Sequence, residues 1–176
     1  MRFIFKLLFY TITLLLMIIF FLPKENIYYF GEKELKKYNI IISDEKVEDK
    51  GLEFNIKDSK LYFEQIKSVD IESLSILTTI GYNQLVIKNI IVDESLQNLV
   101  PSRLDSANII YSILDPLVIT IDGVGSFGKL KGVVYLIDRK IVLELLPSKL
   151  MKSKYKQHLS MMKKQSSGVY RYENSF

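Results

Sequence analysis

From Leu7 to Leu22 the chain carries no charged residue, and Arg2 and Lys6 stand directly in front of this run in "MRFIFKLLFYTITLLLMIIFFLPK". A bilayer core is crossed by about 20 consecutive apolar residues in a helix, so the first 23 residues predict a transmembrane segment. A cleaved signal peptide needs small residues in an A-x-A-like pattern after the apolar stretch. Phe20, Phe21, Leu22 and Pro23 supply none, and the segment is therefore expected to stay as a signal anchor. Positive flanks remain on the cytoplasmic side, which sends the rest of a single-pass chain across the membrane. The bulk of the chain is therefore expected on the far side of the membrane from Arg2 and Lys6. Lys24, Lys33, Lys36 and Lys37 place some positive charge on the far side as well.

Composition narrows the chemistry. With no cysteine and one histidine, a zinc cluster, a thiol nucleophile and a disulfide scaffold are excluded. His158, the single imidazole, sits among lysines and reads as the solvent edge of a helix. Asp70 with Glu72, and Asp93 with Glu94, are the nearest approach to paired carboxylates, but their alternating or turn-like settings describe solvated polar faces. No enzyme signature, cofactor site or metal site is expected. The net charge of +4 does not by itself indicate nucleic acid, and the expected location opposes it.

After Pro23, residues 24–50 read as a short juxtamembrane helix and connector, with Ile27, Phe30, Leu35 and Tyr38 near helical spacing. From Gly51 the period changes to two. "GLEFNIKD" alternates Leu52, Phe54 and Ile56 with Glu53, Asn55 and Lys57, the pattern of a strand with one buried and one wet face. Asp58-Ser59 reads as a turn, with "KLYFEQI" as the hairpin partner. In "SVDIESLSIL", Val69 and Ile71 are in one phase and Leu74 and Ile76 in the other, which predicts a bulged strand or two short ones. "NQLVIKNIIV", "SANIIYSIL", "PLVITIDG", "KLKGVVYLID" and "KIVLELLP" follow as strand-length runs between turn signals. This even punctuation predicts an antiparallel meander over residues 51–147, because it leaves no room for crossover helices.

One stretch invites a different reading. "GVGSFGK", Gly123 to Lys129, has the spacing of a phosphate-binding loop, which works only where the glycines lead into a helix whose free amides hold the phosphate. Here β-branched residues and a second turn follow, so a hairpin is expected, with Gly128 in its tight turn, Gly123 and Gly125 relaxing a strand end or bulge, and Lys129 solvated.

Residues 148–176 read as a basic amphipathic helix and a tail. Ser148 is a candidate N-cap, and Leu150, Met151, Tyr155, Leu159 and Met162 form an apolar stripe through Lys164. Lys149, Lys152, Lys156, Lys163 and Lys164 are candidate membrane or partner contacts, although a stripe packed on its own sheet would leave these lysines merely solvated. "GVYRYENSF" is a last edge strand or a loose tail.

The stretch "LDPLVITIDGVGSFGKLKGVVYLIDRKIVLELLPS", through Gly125, Gly128, Gly132 and Pro147, resembles the last hairpins of the type II secretion system protein N family, itself similar to AsmA-like periplasmic proteins. "YFEQIKSVDIESLSILTTIGYNQLVIKNI" is similar to the central segment of that family. The resemblance implies a strongly curved antiparallel sheet, an open half-barrel or taco-like meander, with an apolar concave face and no catalytic residues, anchored by a single pass in the inner membrane with the bulk of the chain in the periplasm. Leu52, Phe54, Ile56, Leu117, Ile119, Ile121, Ile141, Leu143 and Leu145 are its candidate trough residues. The expected role is a non-enzymatic one in secretion-system assembly or envelope biogenesis through contacts with envelope or secretion-complex proteins. The rival expectation is a lipid-binding or lipid-transfer module that holds acyl chains in the trough.

Overall fold

A computed structural model describes residues 2–176. Its first element is α1 (Arg2–Phe21), a helix of 20 residues that buries none of its side chains and is long and apolar enough to cross a membrane. Pro23 breaks the chain, and α2 (Lys24–Lys36) follows directly. Everything else is organised by one open antiparallel sheet of 11 strands.

The strands are β1 (Ile40–Ser43), β2 (Lys46–Asp49), β3 (Glu53–Phe63), β4 (Ile66–Thr78), β5 (Tyr82–Val92), β6 (Arg103–Ser112), β7 (Val118–Gly125), β8 (Gly128–Tyr135), β9 (Lys140–Pro147), β10 (Lys163–Lys164) and β11 (Tyr170–Ser175). From β3 to β9 each strand pairs with the next, and then β11 pairs with β9 and β10 with β11. Two short helices, α3 (Lys149–Ser153) and α4 (Lys156–Ser160), lie between β9 and β10. The meander is therefore as expected, and the sheet does not close.

Several local expectations need correcting. The sheet begins at Ile40, inside the segment expected to be only helix and connector: β1 and β2 share the outer edge of β3, pairing with residues 60–63 and 54–57 respectively. The tail supplies β11, so the sheet also extends past residue 147. Asp58-Ser59 is not a turn, because β3 runs straight through it. The hairpin closes at Glu64-Gln65, both left-handed at φ 50° and 69°. A two-residue loop of that kind favours Asn-Gly, and a Glu-Gln pair gives no such signal in the sequence. The basic helix is interrupted as well: a turn at Lys154-Tyr155 separates α3 from α4, and residues 163–164 have already become strand.

Asp58 does take the left-handed conformation that its residue type tolerates, at φ 56°, but inside the strand. Asn89 does the same in β5 at φ 47°. The ladder places Asp58, Glu72, Asn89 and Asp105 side by side across β3 to β6, with Lys57, Ser73, Lys88 and Ser106 in the adjacent row. On either side stand an apolar row, Ile56–Leu74–Ile87–Ala107, and a row that is apolar except for Ser59, Ser59–Ile71–Ile90–Leu104. Strict alternation would turn one of those rows to water. Two successive polar residues on each strand reset the phase instead, so Ile56 and Ser59 are both buried while Lys57 and Asp58 are exposed. The result is a polar crease across four strands. It is held by Asn89 donating to Glu72, by Arg103 donating to Asn89 at 3.1 Å, and by the Arg103–Asp105 and Lys46–Asp58 pairs at 2.7 and 2.8 Å.

Candidate functional site: the inner face of the sheet

Residues opposite one another in a ladder share a face. One row reads Phe54, Ile76, Leu85, Ile109, Ile121, Gly132, Leu143 and Tyr172, and its neighbour reads Ile56, Leu74, Ile87, Ala107, Gly123, Leu130, Leu145 and Tyr170. Both cross eight strands without a charged residue. On the opposite face the corresponding row is Asn55, Ser75, Val86, Asn108, Asp122, Lys131, Glu144 and Arg171.

Helices cover this apolar face only at its two flanks. Along the first flank, α2 lies beside β1 to β3, and Phe54 and Ile56 are buried. An apolar cavity of about 240 Å³ remains there, lined by Leu22, Ile27, Tyr28, Phe54, Ile56 and Ile76, with Lys24 and Thr78 at its edge. Lys24 is only 8% exposed, and its amine donates to the Ile19 carbonyl at 3.2 Å and meets Asp49 at 3.4 Å. Asp49 in turn accepts the Gly51 amide at 2.9 Å. These contacts fasten the end of α1 to the sheet. Tyr28 has a buried hydroxyl with no hydrogen-bond partner, and burial, aided by Glu45 and Glu32, pushes its phenol well above the usual range.

Along the other flank, Leu145, Met151, Tyr155 and Leu159 form a buried cluster against Phe127, Leu130, Met162 and Tyr170. Ser148 caps α3 by accepting the Met151 amide at 3.0 Å and donates to the Ser126 carbonyl at 2.6 Å. Tyr155 donates to the Gln97 carbonyl at 2.6 Å, which draws the 93–102 loop against α4. Helices and loop together form a lid over the end of the sheet at which β5, β7 and β9 finish. Under it is a second, more open apolar cavity of about 390 Å³, lined by Pro101, Phe127, Leu143, Leu145, Met151 and Met162 among others, with His158 at its rim.

Between the flanks, Leu74, Leu85, Ile87, Ala107, Ile109, Ile119 and Ile121 are only half-buried. The floor is lowered by small residues. A Cβ at Gly132 would stand 2.8 Å from the Leu143 side chain and 3.2 Å from that of Ile121.

Eight of the nine candidate trough residues stand on this face or its continuation: Phe54, Ile56, Ile121, Leu143 and Leu145 in the two rows, Ile119 and Ile141 one row further on with Val134, and Leu52 opposite Thr78. Leu117 does not. It precedes β7 in a turn, left-handed at φ 69° and exposed. The middle of the face, Leu74, Leu85, Ile87 and Ile109, lies in runs expected to be strands but not among the candidate trough residues. The repeated polar doublet at the crease marks the change of phase between Ile71 and Leu74 and again between Ile87 and Ile90, but the register with neighbouring strands is what assigns these residues to the inner face.

Lys149, Lys152, Lys156, Lys163 and Lys164 are all exposed around α3, α4 and β10, and among the described residues none is paired with a carboxylate. The stripe between them packs on its own sheet through Met151, Tyr155 and Leu159, whereas Leu150 is exposed. Three of the four candidate carboxylates are engaged locally, Glu72 by the Asn89 amide. Asp70 pairs with Lys67 at 2.7 Å, and Asp93 accepts the Ser95 amide and hydroxyl at 3.0 and 2.7 Å, which holds its carboxyl below the usual range. The glycine stretch is a hairpin, as expected. Ser126 and Phe127 make the turn, Gly128 is left-handed at φ 119°, and a Cβ there would overlap the Leu146 carbonyl.

Compared with family models, curated proteins and solved structures, the chain matches none.

Proposed function

We propose that this protein is a membrane-anchored, non-enzymatic β-module of the bacterial envelope whose inner face holds an acyl chain or a similarly apolar ligand. The observation that carries the reading is the pair of uncharged rows across eight strands, covered at both flanks and only half-buried between them. A contiguous apolar surface of this extent is not ordinarily left to water, and the chain's own helices are already committed to the flanks. The position of the first cavity supports the same reading, because Leu22 and Ile27, where the chain leaves α1, form part of its wall. In this account α1 spans the inner membrane with Arg2 and Lys6 on the cytoplasmic side, and the sheet stands in the periplasm.

Assembly with envelope or secretion-complex proteins, as in the type II secretion system protein N family, is the second reading. It is favoured by the open sheet: β1 and β2 at one end of the strand order, and residues 172–175 of β11 at the other, have unpaired backbone edges. Such edges accept a strand from another chain. The full-length protein, purified in detergent and analysed by mass spectrometry under native conditions, separates the two. Co-purified lipid at a fixed stoichiometry supports the ligand reading. A lipid-free protein that holds a protein partner supports assembly and refutes the trough.

A further inference from the structure

The strand directions define two ends of the sheet. β3 starts and β4 stops at the end where the Phe20 ring of α1 lies so close to Gly51 that a Cβ there would overlap it. By antiparallel pairing, the β4–β5, β6–β7 and β8–β9 turns all stand at that same end, and so does the end of β11. These three turns carry Ile80, then Ile113, Leu114 and Leu117, then Leu136 and Ile137, all exposed, with Leu114 at 92% and Ile137 at 75%. Phe176, 64% exposed, closes the series. The turns are tied in a row by backbone hydrogen bonds: Ile113 donates to Gly81 at 2.9 Å, Leu136 to Leu117 at 2.9 Å, and Phe176 to Arg139 at 2.8 Å.

Hairpin turns facing water are built from Gly, Asn, Asp, Ser and Pro. These turns do contain Gly81, Asp115, Pro116 and Asp138, but exposed aliphatic residues stand beside them in every turn, and Leu117 adopts a left-handed conformation that leucine ordinarily avoids. Exposed apolar residues also occur at the opposite end, such as Ile66 and Leu99, but that end has Glu64-Gln65 at its first turn, carries the lysine-bearing helices, and has no apolar helix leading from it.

We propose that these three turns and Phe176 form a ridge that inserts into the surface of the same bilayer that α1 spans, so that the sheet stands on the membrane with its trough opening toward the lipid. The inference rests on the anchor reading of α1. Asp115 and Asp138, exposed within two of the turns, limit the depth to the interfacial layer, and Arg139 beside Asp138 suits anionic headgroups.

The absence of native cysteine permits a direct test with single fluorophores on the full-length protein at Leu114→Cys, Ile137→Cys, Gln65→Cys and Leu14→Cys. Each variant is reconstituted in phosphatidylethanolamine–phosphatidylglycerol vesicles containing doxyl-labelled phosphatidylcholine. Leu114 and Ile137 are on separate turns and largely exposed, so the melting of both variants should match that of the unsubstituted protein. Quenching at Leu114→Cys and Ile137→Cys is expected to exceed that at Gln65→Cys several-fold and to approach that at Leu14→Cys. Strong quenching at Leu14→Cys with values at Leu114→Cys and Ile137→Cys no greater than at Gln65→Cys would overturn the ridge and leave the anchor intact. An unquenched Leu14→Cys would remove the anchor reading and this inference together.

Discussion

The flanks and the middle of the inner face are built from the same kinds of residue but reach different states. At the flanks, Phe54 and Ile56 under α2, and Leu145 under α3 and α4, are buried. In the middle, Leu85, Ile87, Ile109 and Ile121, in the same two rows, remain half-buried. The difference is cover rather than composition. Burial of apolar area is the main favourable term in folding, so the flanks are where stability is concentrated. The middle is free to be used for binding without dismantling the fold.

Substitutions can break or sharpen that contrast. The largest effect is expected at Gly128→Val, where a branched side chain meets the Leu146 carbonyl in a left-handed backbone; no cooperative melting should remain, and a native-like melting curve would contradict the geometry. Leu145→Ala removes the centre of the buried cluster and should destabilise by about 2–5 kcal/mol in denaturant titration. Tyr155→Phe keeps the packing and loses one hydrogen bond to Gln97, an effect of about 1 kcal/mol, together with faster hydrogen exchange in the 93–102 loop. In the middle of the face, Ile109→Asn should cost no more than about 1 kcal/mol, since the side chain is only partly removed from water, yet it should lower the amount of co-purified lipid. The smallest effect belongs to the lysines. Joint reversal of Lys152, Lys156 and Lys163 to glutamate should change stability by less than about 0.5 kcal/mol, as for surface sites in general, because among the described residues none of them has a carboxylate partner to lose.

The parts of this architecture that the sequence expresses as local period were legible in it. Alternation in "GLEFNIKD" and the punctuated runs after residue 81 gave the strands, and the β-branched residues after Gly128 identified a hairpin in place of a phosphate loop. The turn at Glu64-Gln65 was not legible, because its residues carry no propensity for the left-handed conformations they adopt; Asp58, which does carry it, uses it in the crease. β1 and β2 were hidden because each is only four residues long and depends on the edge of β3 for its pairing. The candidate trough was half legible. Phe54, Ile121 and Leu145 follow from alternation within one strand, whereas Leu85, Ile87 and Ile109 sit in runs so continuously apolar that only the register with neighbouring strands reveals which face they take. Leu117 failed for the converse reason: its apolar character indicated a strand interior, and the left-handed turn sets it outside.

The central claim is that an apolar ligand occupies the middle of the inner face. Neighbouring positions on β6 allow this to be tested with a built-in control, since Ile109 is in the inner row and Ile110, opposite Gln84 and Thr120, is on the outer face. A photo-crosslinking amino acid placed at each position in turn, in full-length protein activated within membranes, gives adducts that can be weighed by mass spectrometry. The account predicts adducts of lipid mass at position 109 and none at position 110. Equal lipid labelling at both positions, or adducts of protein mass at position 109, would contradict it.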